Sequence, residues 1–247
     1  MSRLVRMLVT RPEPDASETA ARLAALDIEA TLCPLLTHET LGTSLPDAKG
    51  FAAMALTSAS AIRALIERNA LEPFLGLKVF AVGDRTAEHA RASGFADVES
   101  AGGSLADLAE RLAHARPGGP VFYPAGRDQS GDLAKSLAPY GVMVISAQVY
   151  AMKAATDIPA EVIGGLDSGA LEAALFYSRR TAETFASLAA PRLSLKAQRR
   201  LGALCLSENV AEPLIDAHFV RIGLADYPSE EAMMGLALSF ARDQNAS

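Results

Sequence analysis

The chain has 247 residues, 50% of them hydrophobic, and a formal net charge of -6. That length carries a substantial core and fits two domains of ordinary size, while the acidic balance argues against nucleic acid as a partner, because a polyanion surface demands a basic stripe. No segment approaches the roughly 18 uninterrupted apolar residues of a membrane span, and the start, Met1-Ser2-Arg3-Leu4-Val5-Arg6, has no long apolar region or small-residue cleavage site, so a cytoplasmic protein is expected.

Short β-like runs alternate with amphipathic helical stretches. Met7-Leu8-Val9-Thr10 precedes a helical pattern over 17–26, Ala53-Met54-Ala55-Leu56 one over 59–68, and Val79-Phe80-Ala81-Val82 one over 86–92. Val121-Phe122-Tyr123 then precedes 132–137, Ala174-Leu175-Phe176 precedes 181–188, and Ala203-Leu204-Cys205-Leu206 precedes 211–217. This rhythm predicts right-handed βαβ units on parallel sheets, an α/β fold. Helix starts carry matching signals: Asp15 or Ser17 for the first, Ser104 ahead of 105–113, and Ser229 followed by Glu230 and Glu231 for the last.

Sliding the chain along itself reveals a repeat. Residues 8–34 align without a gap on 122–148, matching Ala20 to Ala134, Leu23 to Leu137, Ile28 to Val142 and Thr31 to Ile145. Thr57-Ser58 recurs as Tyr177-Ser178, the segment 82–87 recurs loosely as 206–211, and 103–107 is echoed by 228–232. Two copies of one unit in permuted order predict one discontinuous domain, 1–34 with 153–247, and an inserted domain, 41–147. Residues 35–40 and 148–152 then read as two antiparallel connecting strands.

Open parallel sheets bind ligands outside the carboxyl ends of their strands, where helix N-termini offer unpaired N–H groups. There the sequence places Thr10-Arg11-Pro12, Thr57-Ser58-Ala59-Ser60, Gly83-Asp84-Arg85-Thr86, Pro124-Ala125-Gly126-Arg127, Ser178-Arg179-Arg180-Thr181 and Ser207-Glu208-Asn209. Arg11, Arg85, Arg127, Arg179 and Arg180 together suggest a cationic cleft for a carboxylate- or phosphate-rich small molecule; singly, each reads equally as a snorkelling or ion-paired loop residue. Ser58 and Ser178 read as helix N-caps with hydroxyls available to an anion. Tyr150 ends an apolar strand at the return crossing, and is either a packing tyrosine or a neutral proton donor.

Other chemistries find little support. No Gly-x-Gly-x-x-Gly follows a strand and no Walker-type motif exists; Gly118-Gly119 and the stretch 126–131 lack the spacing. Ser58, Ser60 and Ser178 lack the nucleophile elbow of hydrolases. Cys33 and Cys205 stand in apolar runs read as strands and are expected to be buried thiols. His38, His89, His114 and His218 are scattered over helices and the connector, without metal-ligand spacing; His38 is set apart by its place in the connector.

Together, Val9-Thr10-Arg11-Pro12, Leu56-Thr57-Ser58-Ala59-Ser60-Ala61, Ala81-Val82-Gly83-Asp84-Arg85-Thr86-Ala87, Val149-Tyr150 and Leu175-Phe176-Tyr177-Ser178 resemble the uroporphyrinogen-III synthase family, in order and spacing over essentially the whole chain. The resemblance implies two flavodoxin-like doubly wound domains joined by a two-stranded connector, and an enzyme without metal or organic cofactor. It further implies conversion of hydroxymethylbilane, which carries eight carboxylates, to uroporphyrinogen III, with loss of water and inversion of the terminal pyrrole ring through an azafulvene cation and a spiro pyrrolenine. Tyr150 falls on the family's Val-Tyr tyrosine and is the candidate catalytic residue; Arg11, Ser58, Arg85, Thr86, Arg127, Ser178 and Arg179 are candidates for substrate contact. A monomer is expected on the same ground. The family's second glycine-threonine segment reads Ser207-Glu208-Asn209-Val210 here, and the Glu208 carboxylate would oppose an anionic substrate if it faced the cleft. The alternative from another class is a noncatalytic two-domain module that binds or senses an anionic metabolite.

Overall fold

The computed structural model describes residues 4–129 and 131–246. Met1 to Arg3 and Ser130, read above within the chain's start and a glycine-flanked loop, lie outside the described residues. The chain divides into two compact units, Met1–Thr37 with Lys153–Ser247, and His38–Met152.

The first unit holds a five-stranded parallel sheet of β1 (Val5–Val9), β2 (Ile28–Leu32), β9 (Ala173–Phe176), β10 (Gly202–Cys205) and β11 (Arg221–Leu224), in the order β11-β10-β9-β1-β2. Its central strands are apolar almost throughout because both faces are covered. Met7, Val9, Leu175 and Leu204 face α1 (Asp15–Ala24) and α10 (Glu230–Ala246). Leu8, Ala174, Phe176, Ala203 and Cys205 face the other way, toward α6 (Ala160–Ser168), α7 (Arg179–Ala189), α8 (Leu195–Arg200) and α9 (Glu208–Asp216). There Phe185 sits at 5.0 Å from Phe176 and 5.7 Å from Phe219.

The second unit holds a six-stranded sheet built from β3 (Leu36–Thr40), β4 (Ala53–Leu56), β5 (Lys78–Ala81), β6 (Val98–Ser100), β7 (Val121–Gly126) and β8 (Val144–Ala154), in the order β3-β8-β7-β4-β5-β6. Met54, Leu56, Val79 and Phe122 pack with α2 (Ala59–Glu67) and α3 (Asp84–Ala92) on one face. Ala53, Ala55, Phe80, Val121 and Tyr123 pack with α4 (Leu105–Ala115) and α5 (Leu133–Leu137) on the other. Local chemistry sets the helix ends: Ser104 and Asp107 form a reciprocal capping box on α4, which stops at Arg116 with φ 44°.

Taken from β4 and β9, the two orders coincide: β6-β5-β4-β7-β8 matches β11-β10-β9-β1-β2. The gapless alignment of 8–34 on 122–148 thus pairs β1-α1-β2 with β7-α5-β8.

Several boundaries differ from the sequence reading. Helix α1 starts at Asp15, with no side-chain cap, and β8 is one eleven-residue strand rather than a strand followed by a separate connector. Strands β6 and β11, which have no fully buried residue, and helices α6 and α8 lacked a clear signal. Cys33 lies just past β2, and His218 sits in a turn at φ 67°. No described helix is long and apolar enough to cross a membrane.

Both thiols are buried and unpaired. Burial pushes the Cys205 thiol up to about 12, and burial, then Glu161, raises Cys33. A raised folded-state pKa means that the native state holds a proton the unfolded chain releases. The Cys205 contribution is complete below the ordinary thiol range and is lost as pH climbs toward 12, in total on the order of 4 kcal/mol. Denaturant titrations between pH 7 and 11 should show this alkaline loss, and Cys205→Ala should flatten it.

Candidate active site

In the second unit the chain leaves β4 through β5 and β6 and returns on β4's other side with β7. The crevice at the carboxyl ends of β4 and β7 is therefore the position at which such a sheet takes a ligand. Thr57 and Ser58 stand there after β4, and Tyr123 and Gly126 on β7; β8, next along the sheet, supplies Tyr150 and β3 supplies His38.

Hydrogen bonds pair several of these groups. The Tyr123 and Thr57 hydroxyls lie 3.1 Å apart. Ser58 is the N-cap of α2: its Oγ accepts the Ser60 N–H at 3.1 Å, and its side chain acts on the Tyr150 phenol. The Tyr150 ring stacks on His38 with centroids 5.6 Å apart and planes at 19°, and His38 Nε2 lies 3.2 Å from the Ser60 carbonyl, which makes that nitrogen the N–H donor. Burial raises the Tyr150 pKa, Ser58 opposes the rise and Tyr123 adds to it. The phenol is therefore protonated at neutral pH.

The corresponding crevice of the first unit, between the ends of β9 and β1, is filled differently. Arg11, only 7% exposed, donates to Glu230 at 2.6 Å, Asp15 at 2.9 Å and Thr19 at 3.1 Å, and its guanidinium lies 4.0 Å from the Tyr177 ring centroid. Burial works against the Arg11 charge, but Asp15 and Glu230 more than offset it and raise its pKa. The Tyr177 hydroxyl donates to Glu230 at 3.1 Å, and burial followed by the Glu230 charge raises the phenol's pKa.

The remaining candidates lie on both units. Ser178 caps α7 and lies 2.7 Å from the Thr181 hydroxyl. Arg179 is ion-paired to Glu183 at 2.9 Å and to Glu212, and donates to the Asn209 side chain at 3.0 Å. Thr86 is buried in the first turn of α3, with Arg85 exposed beside it. Arg127 is exposed just past β7, its N–H donating to the Tyr150 carbonyl at 2.8 Å. Glu208 is exposed at the start of α9. Sequence reasoning did not single out Tyr123, Gly126, Tyr177 or Glu230; the usable signal was a phenol inside an otherwise apolar strand, whose hydroxyl must find a partner when buried. Among the described residues, no three or more His, Cys, Asp or Glu side chains gather as a metal site.

A family model described as uroporphyrinogen-III synthase HemD matches residues 17–235. The chain belongs to the uroporphyrinogen-III synthase family. No curated protein sequence matches it. The fold is similar to that of uroporphyrinogen-III synthetase from Helicobacter pylori, with a TM-score of 0.68 at 18% identity over 96% of this chain and 100% of that one. It is also similar to a mutant uroporphyrinogen III synthase from Thermus thermophilus, with a TM-score of 0.57 at 17% identity over 98% and 100% of the two chains.

Within this member of the synthase family, Arg11 is in contact with two carboxylates and a ring. Truncation would leave Asp15 and Glu230 facing each other, so Arg11→Ala should cost about 3–5 kcal/mol in denaturant unfolding. Activity per folded molecule should survive that change; loss of substrate affinity at unchanged stability would return Arg11 to the binding residues.

Proposed function

We propose that this chain converts hydroxymethylbilane to uroporphyrinogen III with Tyr150 as the proton donor. The family match over residues 17–235 carries the activity, and the half-buried phenol stacked on His38, its pKa raised by burial, supports the residue. The finer architecture belongs to the same reading: two flavodoxin-like domains joined by a two-stranded antiparallel connector. It is supported by the coincident strand orders and by two backbone bonds, Leu41 N–H to Val149 and Ala155 N–H to Leu35, in which one strand rises as the other falls. The protein works as a cytoplasmic monomer in this reading.

The chemical problem is to lose hydroxide from a hydroxymethyl carbon and then hold a flexible chain so that the substituted carbon of the terminal ring is attacked. As the C–O bond breaks, the Tyr150 phenol gives its proton to the departing oxygen, so that water leaves with an azafulvene cation and a phenolate behind. The Ser58 hydroxyl, aligned by the Ser60 N–H at the start of α2, donates to that phenolate, an interaction stronger in the charged state than in the neutral one. The proton released when the pyrrole regains aromaticity restores the phenol. Ser58 thus serves the acid, whereas Thr86, Arg85, Arg127, Ser178 and Arg179 remain the candidates for holding carboxylates, with catalysis by positioning as their contribution.

Freshly generated hydroxymethylbilane, incubated with the protein, oxidised and resolved by chromatography, should give chiefly isomer III. Tyr150→Phe should lower kcat by about a hundredfold or more while leaving KM near its original value. Isomer I alone, at the uncatalysed rate and with folded protein, would exclude the synthase activity and leave a module that binds an anionic metabolite.

A further inference from the structure

Strands β7 and β8 pair in regular parallel register from Val121 opposite Val144 to Ala125 opposite Gln148, after which Gly126 lies opposite Tyr150. One residue, Val149, is passed over, so β8 carries a bulge at the step before the tyrosine. Bulges re-aim the side chains that follow them, and here Val149 and Ala151 are buried while Tyr150 is half-buried on His38 and Ser58. A Cβ at residue 126 would stand 2.8 Å from Tyr150 Cζ and 3.0 Å from both Cε2 and the phenol oxygen. Gly126 has no left-handed φ, so its backbone conformation does not require glycine; the neighbouring ring does.

We infer that Gly126 is a positioning residue for the acid: the reactive end of the Tyr150 ring occupies the space of a Cβ at residue 126, at the step where the β8 bulge carries the tyrosine opposite it. The inference rests on Tyr150 being the proton donor. The Arg127 N–H, bonded to the Tyr150 carbonyl at 2.8 Å, fixes the tyrosine's backbone, while His38 stacks on its ring and Ser58 and Tyr123 act on its phenol. A methyl group at residue 126 meets the far end of a side chain, and the phenol must swing away from Ser58.

The test compares the wild-type chain with Gly126→Ala, Tyr150→Phe and the double variant. Gly126→Ala should lower kcat about a hundredfold, the cost of an ångström-scale misplacement, with little change in KM. In the Tyr150→Phe background the same alanine should cost nothing further, because it acts only through the phenol. A readout independent of turnover is the alkaline absorbance titration of Tyr150, isolated by subtracting Tyr150→Phe. The wild-type phenol should ionise above the ordinary ~10, and Gly126→Ala should bring it down toward that value. Should Gly126→Ala fail to fold, adding Tyr150→Leu should restore the stability of Tyr150→Leu alone. Rate losses that multiply, an unmoved titration, or a misfolded Gly126→Ala that Tyr150→Leu does not rescue would each overturn the inference. A wild-type protein that forms no isomer III would instead remove the synthase reading, leaving the titration to decide the geometry.

Discussion

Parallel strands can be joined only by crossing a face of the sheet, and that constraint governs both units. Each crossing helix covers one face, so the central strands are apolar on both sides, as in β4, β9 and β10, whose residues are all buried. Polar side chains are thereby expelled to the strand ends. Because all the βα connections run the same way, the carboxyl ends of the strands and the N-termini of the helices collect along one edge of each sheet. Ser58 and Ser178 cap helices at that edge for the same physical reason, on strands that occupy matching positions.

The two units fill their equivalent crevices with opposite chemistry. Around Arg11 every charge meets a counter-charge, as low dielectric demands of buried ions, and the network ties the end of β1 to α1 and α10 through Asp15, Thr19 and Glu230. Around Tyr150 the groups are hydroxyls, an imidazole and backbone amides. Hydroxyl donors tolerate burial with fewer partners than ions and keep capacity for a further one. One architecture therefore holds a sealed ionic lock in one copy and a set of exchangeable donors in the other.

The α/β class and the parallel arrangement were legible because they rest on local periodicity: apolar runs of four to six residues followed by amphipathic helices. Strands β6 and β11 escaped notice because no burial marks them. Strand β6 reads Val98-Glu99-Ser100 and no residue of it is fully buried, so nothing in its sequence distinguishes it from a loop. Among candidate site residues, Tyr150 was visible from its place after an apolar strand, and Ser58 from its position at a helix start. Arg11 was equally visible, but its partner Glu230 lies 219 residues away, and no local pattern announces whether a strand-end arginine faces a ligand or a buried carboxylate.

By itself the sequence determined what depends on neighbours along the chain: the α/β alternation, the internal repeat of 8–34 on 122–148, the helix caps and the resemblance to the synthase family. Only the tertiary structure decided what depends on neighbours across it. The single passed-over residue at Val149, the phenol resting where Gly126 lacks a Cβ, and the Thr57–Tyr123 pair all arise between strands far apart in sequence. Register is the physical reason: a slip of one residue turns a side chain to the opposite face, and register is set by the packing of whole strands rather than by any residue that can be read alone.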